Sequence, residues 1–216
     1  MPVTEVLVSR LVQEDDVRSA DNPAGSSVEA CVDRLREQTG YQRLTAGMQL
    51  EHPDALEALI NYGLTDREAW EAPQSQRELQ QWLDRAQVDH GDAYHVDFSP
   101  FHDFELATAS PVTEVARFYF NGPAPAHVLA GFTKFGEALN AQLVAGLRGV
   151  AAGLTQEDVE YEGVRGRAVM LVMGWLSVED HVAFKETQLF KDAVKLLPVA
   201  EAGKIEMHHT RFQTFG

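Results

Sequence analysis

Apolar positions in this chain come as short runs rich in β-branched residues, alternating with stretches of helical spacing, and the succession occurs twice. Residues 3–12 are β-branched and aliphatic and predict a strand. Ser26-Ser27-Val28-Glu29 is a capping box opening a helix whose Val28, Cys31, Val32 and Leu35 share one stripe, and Gly40 closes it. Strands are expected at residues 44–50 and in the apolar run 55–63, after which Thr65 and Glu68 signal a second helix start. The second succession begins with a strand at 112–120. A helix from near Pro125 follows, with Leu129, Phe132, Phe135, Gly136 and Leu139 on its apolar stripe. Strands are then expected at 159–163 and 168–175, before a helix capped by Ser177 with Asp180. Residues 94–101 and 205–212 read as the last strands, and 99–110 as a linker.

Each half is thus strand, helix, strand, strand, helix, strand. The segment Pro-Val-Thr-Glu-Val opens both halves, at Pro2–Val6 and Pro111–Val115. Later landmarks recur at a nearly constant separation of about 110 residues, as a duplicated module leaves behind. The domains are expected at residues 1–103 and 104–216. A βαββαβ unit of ferredoxin-like type carries both helices on one face of its sheet and leaves the other bare. The expected α+β architecture is therefore two such units packed sheet to sheet, an intramolecular, pseudo-dimeric barrel in one chain, with a homodimer as a further possibility.

Charge and composition narrow the partners. The chain has 33 acidic and 18 basic residues among 216, a formal charge of −15. Such a surface repels nucleic-acid backbones and anionic membranes. No run reaches the roughly 18 consecutive apolar residues of a membrane span, and the reading is a cytoplasmic protein. A single cysteine, Cys31, excludes an internal disulfide or a thiolate cluster.

The passage Gly174-Trp175-Leu176-Ser177-Val178-Glu179-Asp180-His181-Val182-Ala183-Phe184-Lys185-Glu186-Thr187-Gln188-Leu189-Phe190 resembles the strand-to-helix passage of the dimeric α+β barrel superfamily. Within it, the likeness is to the antibiotic-biosynthesis-monooxygenase-like proteins, in a tandem form seen in fungi; Val112-Thr113-Glu114-Val115 resembles the family's first strand. The resemblance implies a hydrophobic cavity holding an aromatic or polyketide-like molecule. It extends to cofactor-independent oxygenases, cyclases, isomerases and lyases and, in distant branches, haem proteins, so fold does not choose the reaction. In related cyclases the positions of His181 and Thr187 look like those of a catalytic Tyr and His; that dyad is not preserved here. The first half has Ala69 where the second has His181.

His181, one turn into an amphipathic helix with Phe184 and Thr187 on nearly the same face, is the first catalytic candidate. Imidazole, with a pKa of about 6.5, exchanges protons near neutrality; the bland alternative is a helix histidine bonding its neighbours. Glu114, like Glu5 in the first half, is the second candidate. It is either a carboxylate at the rim of an apolar cavity or a solvated strand start. Arg117 and Tyr119 take the opposite strand face; with the faces reversed, Arg117 becomes an anion clamp. On the last strand, His209 shares a face with Ile205 and Met207 and is read toward the cavity, while His208 is expected to face outward. Trp175, Phe184, Phe118, Met173, Met170 and Leu171 suit a flat apolar pocket and equally a core. No histidine spacing suggests zinc, and no cofactor is expected; haem, needing one axial histidine, is the exception, with His181, His209 or His127 as ligands. The function so read is a cofactor-independent enzyme acting on a hydrophobic small molecule. The alternatives are a non-catalytic binding or stress-response protein and a haem-binding barrel.

Overall fold

The structure is a computed structural model that describes residues 2–11, 32–38, 40–63 and 88–215. The Ser26–Glu29 capping box, Cys31, the Thr65–Glu68 cap and Ala69 lie outside the described residues. The fold is mixed α+β, and the chain divides into two compact units, Met1–His95 with Thr210–Gly216, and Val96–His209. No described helix is long and apolar enough to cross a membrane.

The first unit contains β1 (Val3–Leu11), β2 (Tyr41–Gln49), β3 (Ala55–Tyr62) and β4 (Val88–Val96), in the order β4-β1-β3-β2. Residues 210–215, the end of the chain's last strand, add to β2 antiparallel, from Thr210 opposite Gln49 to Phe215 opposite Leu44. Alternation puts Val3, Leu7, Leu44, Ala46, Leu56, Ala58 and Ile60 into one apolar cluster, which the helical turn at 32–35 joins through Val32 and Leu35.

The second unit contains α1 (Phe101–Thr108), β5 (Val112–Tyr119), α2 (Val128–Asn140), β6 (Leu147–Leu154), β7 (Val159–Tyr161), β8 (Val164–Gly166), β9 (Ala168–Trp175), α3 (Val178–Lys185) and α4 (Gln188–Ala193). Its sheet runs β6-β9-β5 and then the opening residues of β10 (Lys204–Phe215). Phe132, Phe135 and Leu139 of α2 and Phe184 of α3 pack on Ala116, Phe118, Val150, Leu171, Met173 and Trp175. Each such aromatic burial contributes about 1.5–3 kcal/mol.

The two units repeat one ladder. Val3 lies opposite Tyr62 as Val112 lies opposite Trp175, and the register shifts at the same place in the neighbouring pair, between Tyr41 and Arg43 and between Leu147 and Gly149. The Pro-Val-Thr-Glu-Val segments lead into β1 and β5.

Two expectations are corrected. The second strand of this unit is β6, whereas residues 159–161 pair with 164–166 in a separate small hairpin. Gly149, Ala151, Ala152 and Gly153 dilute the β-branched signal of β6, but small residues are what its crowded neighbourhood requires. The expected linker at 99–110 contains helix α1, whose Phe104 stacks on Phe98 at 4.2 Å and is fully buried. Pro100 stands at its N-cap, and the Thr108 hydroxyl returns to the Phe104 carbonyl at 3.0 Å.

Helix α1 sits directly on a pair of facing glycines, Gly149 and Gly174. A Cβ on Gly149 would meet the Asp103 carbonyl, and one on Gly174 would lie 2.6 Å from Ala107 Cα. Because the obstacles are backbone, Gly149→Ala is expected to cost about 1–3 kcal/mol of overpacking. Thermal unfolding should show a midpoint lowered by about 2–4 °C per kcal/mol, with the far-ultraviolet spectrum unchanged.

Candidate functional site

Helix α3 starts where its sequence indicated. The Ser177 hydroxyl oxygen accepts the Asp180 backbone N–H at 3.1 Å and donates its own hydrogen to Asp180 Oδ2 at 2.7 Å. That cap sets the rotation of the short helix, and His181 and Phe184 are the residues it buries. The helix ends at Lys185. Thr187, expected on the same helix as His181, instead caps α4, accepting from Phe190 N–H at 3.1 Å and donating to the Phe184 carbonyl at 2.7 Å.

On the face of the second unit's sheet that α2 and α3 cover, four side chains stand in a row. Glu114 projects from β5 and is 2% exposed, so the solvated alternative is set aside. Its Oε2 accepts the Trp175 indole N–H at 3.3 Å and lies 3.2 Å from His181 Nε2. His181, also 2% exposed, places Nδ1 2.8 Å from His209 Nε2. The Trp175 and His181 rings stack at 5.2 Å and 21°. His209, 8% exposed, is the outermost member; Met207 and Ile205, on the same face of β10, are 51% and 40% exposed.

One group in this row has a fixed role: an indole N–H only donates, so Glu114 Oε2 is the acceptor there. In the state with Glu114 ionised and His181 neutral, His181 Nε2 carries a hydrogen toward the same oxygen, its Nδ1 accepts, and His209 Nε2 is the donor across 2.8 Å; with His181 protonated, that last bond runs the other way. Low dielectric strengthens each contact, and burial makes the carboxylate tolerable only because donors face it.

The opposite face of β5 holds a second polar cluster. Arg117 is 1% exposed and its guanidinium donates to Glu206 Oε2 at 3.2 Å; the Tyr119 hydroxyl donates to the same oxygen at 2.9 Å. Tyr161 of β7 stacks on Tyr119 at 5.0 Å and 16°. Burial, then the Glu206 carboxylate, pushes the Tyr161 hydroxyl above the ordinary phenol range. Arg117 is thus an ion-pair partner on the face away from Glu114. His208, expected outward, is 1% exposed, because this face of β10 is buried while the Met207 side is the open one.

The sequence candidates therefore divide. Glu114, His181, His209 and Trp175 converge; Phe118, Met173 and Phe184 lie in the apolar cluster beside them; Thr187 is a cap and Arg117 lies across the sheet. Glu206 and Tyr161 were missed. Alternation along the last strand puts Glu206 on the face opposite His209, where Arg117 and Tyr119 need an acceptor, so the signal for Glu206 was present.

Among the described residues no group of three or more His, Cys, Asp and Glu has the arrangement of a metal site. Haem does not fit His181, whose two ring nitrogens both lie within hydrogen-bond distance of protein groups in a buried, stacked position. His209 commits Nε2 to His181, and His127 is an exposed residue paired with Glu201 at 2.8 Å.

No family model and no curated protein sequence matches the chain. Solved structures do. An anthrone oxidase-like protein superposes with a TM-score of 0.65 over 99% of this chain and 92% of its own, at 12% identity. A candidate monooxygenase from Fusobacterium nucleatum gives 0.59 over 99% and 93%, at 10% identity. A chlorite dismutase from Candidatus Nitrospira defluvii gives 0.53 over 97% and 91%, at 11%. At these identities the likeness establishes the fold, an α+β barrel type, and nothing finer.

Two measurements probe the clusters. Trp175→Phe removes a donor from a buried carboxylate and should cost about 1–3 kcal/mol for that contact, with lost packing in addition, read from urea unfolding. For Tyr161, a raised folded value means that the stabilisation is complete below about pH 10. It is then lost as pH rises through the folded value, because the unfolded phenol ionises first. Unfolding midpoints across the alkaline range should fall less steeply in Tyr161→Phe.

Proposed function

We propose that this chain is a cofactor-independent enzyme that removes a proton from a hydrophobic, aromatic or polyketide-like small molecule and leads it into oxygenation by dioxygen. The buried Glu114–His181 pair is its proton-handling centre. The observation that carries this reading is the continuous hydrogen-bonded row of carboxylate and two imidazoles within an otherwise apolar layer. A carboxylate–imidazole pair buried in an apolar layer is the kind of arrangement that general acid–base chemistry uses.

Oxygenation, cyclisation and isomerisation of such substrates share a first step, loss of an acidic hydrogen to a base. An imidazole backed by a carboxylate performs that step, since the carboxylate stabilises the imidazolium that forms. Oxygenation is favoured by the fold shared with an anthrone oxidase-like protein and a candidate monooxygenase. For an anthrone the balance closes with dioxygen alone: the carbanion reduces it, one oxygen atom enters the ring carbon and the other leaves as water. The same proposal assigns the substrate body to the apolar layer of Trp175, Phe118, Met173 and Phe184, whose side chains are packed against one another and at most 4% exposed in this structure. The architecture belongs to the same proposal: two ferredoxin-like modules, residues 1–103 and 104–216, in one tandem chain of the antibiotic-biosynthesis-monooxygenase-like kind.

Anthrone in aerated buffer tests the reading, followed by oxygen uptake and quinone absorbance. Turnover by the wild-type chain is expected, with His181→Ala reduced by about 10²–10⁴-fold while its circular dichroism is retained. A folded His181→Ala with wild-type turnover would remove the pair from the mechanism.

A further inference from the structure

Resting on that reading for the class of guest, we infer that residues 186–202 form a strap over the second unit's apolar layer, and that an uncharged, flat aromatic molecule enters and binds beneath it, displacing Phe190. Phe118, Phe132, Met173, Trp175 and Phe184 are at most 4% exposed and packed on one another. A guest reaches them only when a covering element moves, and those elements differ in how they are held. β5, β6 and β9 are tied by continuous ladders, and α2 buries Val128, Phe132, Phe135 and Leu139 along its length. The strap consists of α4 and the short 3₁₀ turns Val194–Leu196 and Val199–Glu201. Ala193 is its buried side chain; Leu189, Phe190, Leu197 and Ala202 are partly buried.

Polar attachment points to the same element. The Thr187 hydroxyl ties its first end to the Phe184 carbonyl at 2.7 Å, and just past its last end the Gly203 N–H donates to the Tyr119 carbonyl at 2.8 Å. Between those ends, among the described residues, the one hydrogen bond to another element joins His127 Nε2 and Glu201 Oε1 at 2.8 Å, and such exposed pairs add little stability. The strap is nevertheless seated closely. A Cβ on Gly131 of α2 would lie 2.7 Å from the Leu196 carbonyl oxygen and 3.0 Å from Pro198 Cδ. Beneath it, rings run in series toward the Glu114–His181 pair: Phe190 meets Phe184 edge-on at 5.4 Å, Phe184 meets Trp175 at 5.4 Å, and Trp175 stacks on His181. A flat molecule in the place of Phe190 lies against Phe184, one ring from that stack. Outside, Leu196, Val199, Ile205 and Met207 are each more than a third exposed, an apolar landing surface on the strap and the strand that follows it.

Two changes to the full chain test this, read by stopped-flow uptake of N-phenyl-1-naphthylamine, an uncharged flat probe that brightens in apolar surroundings. A chain carrying His127→Cys, Glu201→Cys and Cys31→Ser has only the two introduced thiols, and a short bismaleimide across them clamps the strap to α2. Uptake should slow at least about tenfold in the clamped chain and stay unchanged when the same thiols are capped with N-ethylmaleimide. Gly131→Ala pushes the strap off α2 and should speed uptake about threefold or more, with circular dichroism retained. A clamped chain that takes up the probe at the unclamped rate overturns the proposal, as does a Gly131→Ala chain with uptake no faster than wild type. Anthrone turnover separates the two readings. Gated uptake without turnover by the wild-type chain sinks the enzymatic reading and leaves the strap, whereas turnover undiminished by the clamp sinks the strap and leaves the enzyme.

Discussion

A carboxylate buried in an apolar layer is the constraint from which the second unit's site follows. Left alone, Glu114 would cost far more than a small domain's margin of stability, or would hold its proton. It is met by an indole N–H and an imidazole, and each of those has only one place to come from. Trp175 is at the end of β9 because its ladder with β5 sets Trp175 opposite Val112 and brings the indole over Glu114 two residues along. His181 arrives because the Ser177 cap starts α3 two residues beyond that strand. Shifting either element by one residue would turn the donor away and leave the charge unpaired. The row is therefore as well specified as the sheet itself.

The sheet also keeps two polar systems apart. Period-two alternation sends Glu114 to the face covered by α2 and α3 and Arg117 to the face that α1 partly covers, and the same alternation on β10 separates His209 from Glu206. Each charged group thereby finds an opposite or dipolar partner on its own face, with a layer of strand backbone between the clusters. A guanidinium on the same face as Glu114 would have taken the carboxylate as its partner and left His181 without one. The separation is what lets one strand carry both an Arg117–Glu206 ion pair and a carboxylate met by an indole and an imidazole.

Strong local signals carried through to the structure. Residues 168–175 became β9 as an apolar run of strand length, the Ser177 cap formed, and the repeated Pro-Val-Thr-Glu-Val segments lead into matching strands. What sequence could not show was set by long-range packing. β6 has a glycine- and alanine-rich sequence because α1 and the segment before it press on it, and α1 itself has few helical cues beyond Phe104 and Ala107, whose value lies in what they touch. At the site, His181, Glu114 and His209 were each visible as residue types on strands and a helix. Their alignment depended on the rotation of α3 and the register of β10, which no spacing in the chain expresses. Thr187 shows the converse: helical periodicity put it beside His181, but the helix stops at Lys185 and a new one begins.

Comparison of the two halves shows why one hydrogen-bond donor matters so much. In the first unit Glu5 faces Tyr62 as Glu114 faces Trp175, on equivalent positions of equivalent ladders. A phenol, however, both donates and accepts, and the Tyr62 hydroxyl lies 3.4 Å from Glu5 Oε2 and 3.2 Å from Gln38 Oε1, with one hydrogen to share between them. Its hydrogen can therefore go to either oxygen. An indole in the same place admits one direction only. The exchange of tyrosine for tryptophan between the two ladders, accompanied in sequence by Ala69 against His181, replaces a partner that can donate or accept with one that only donates.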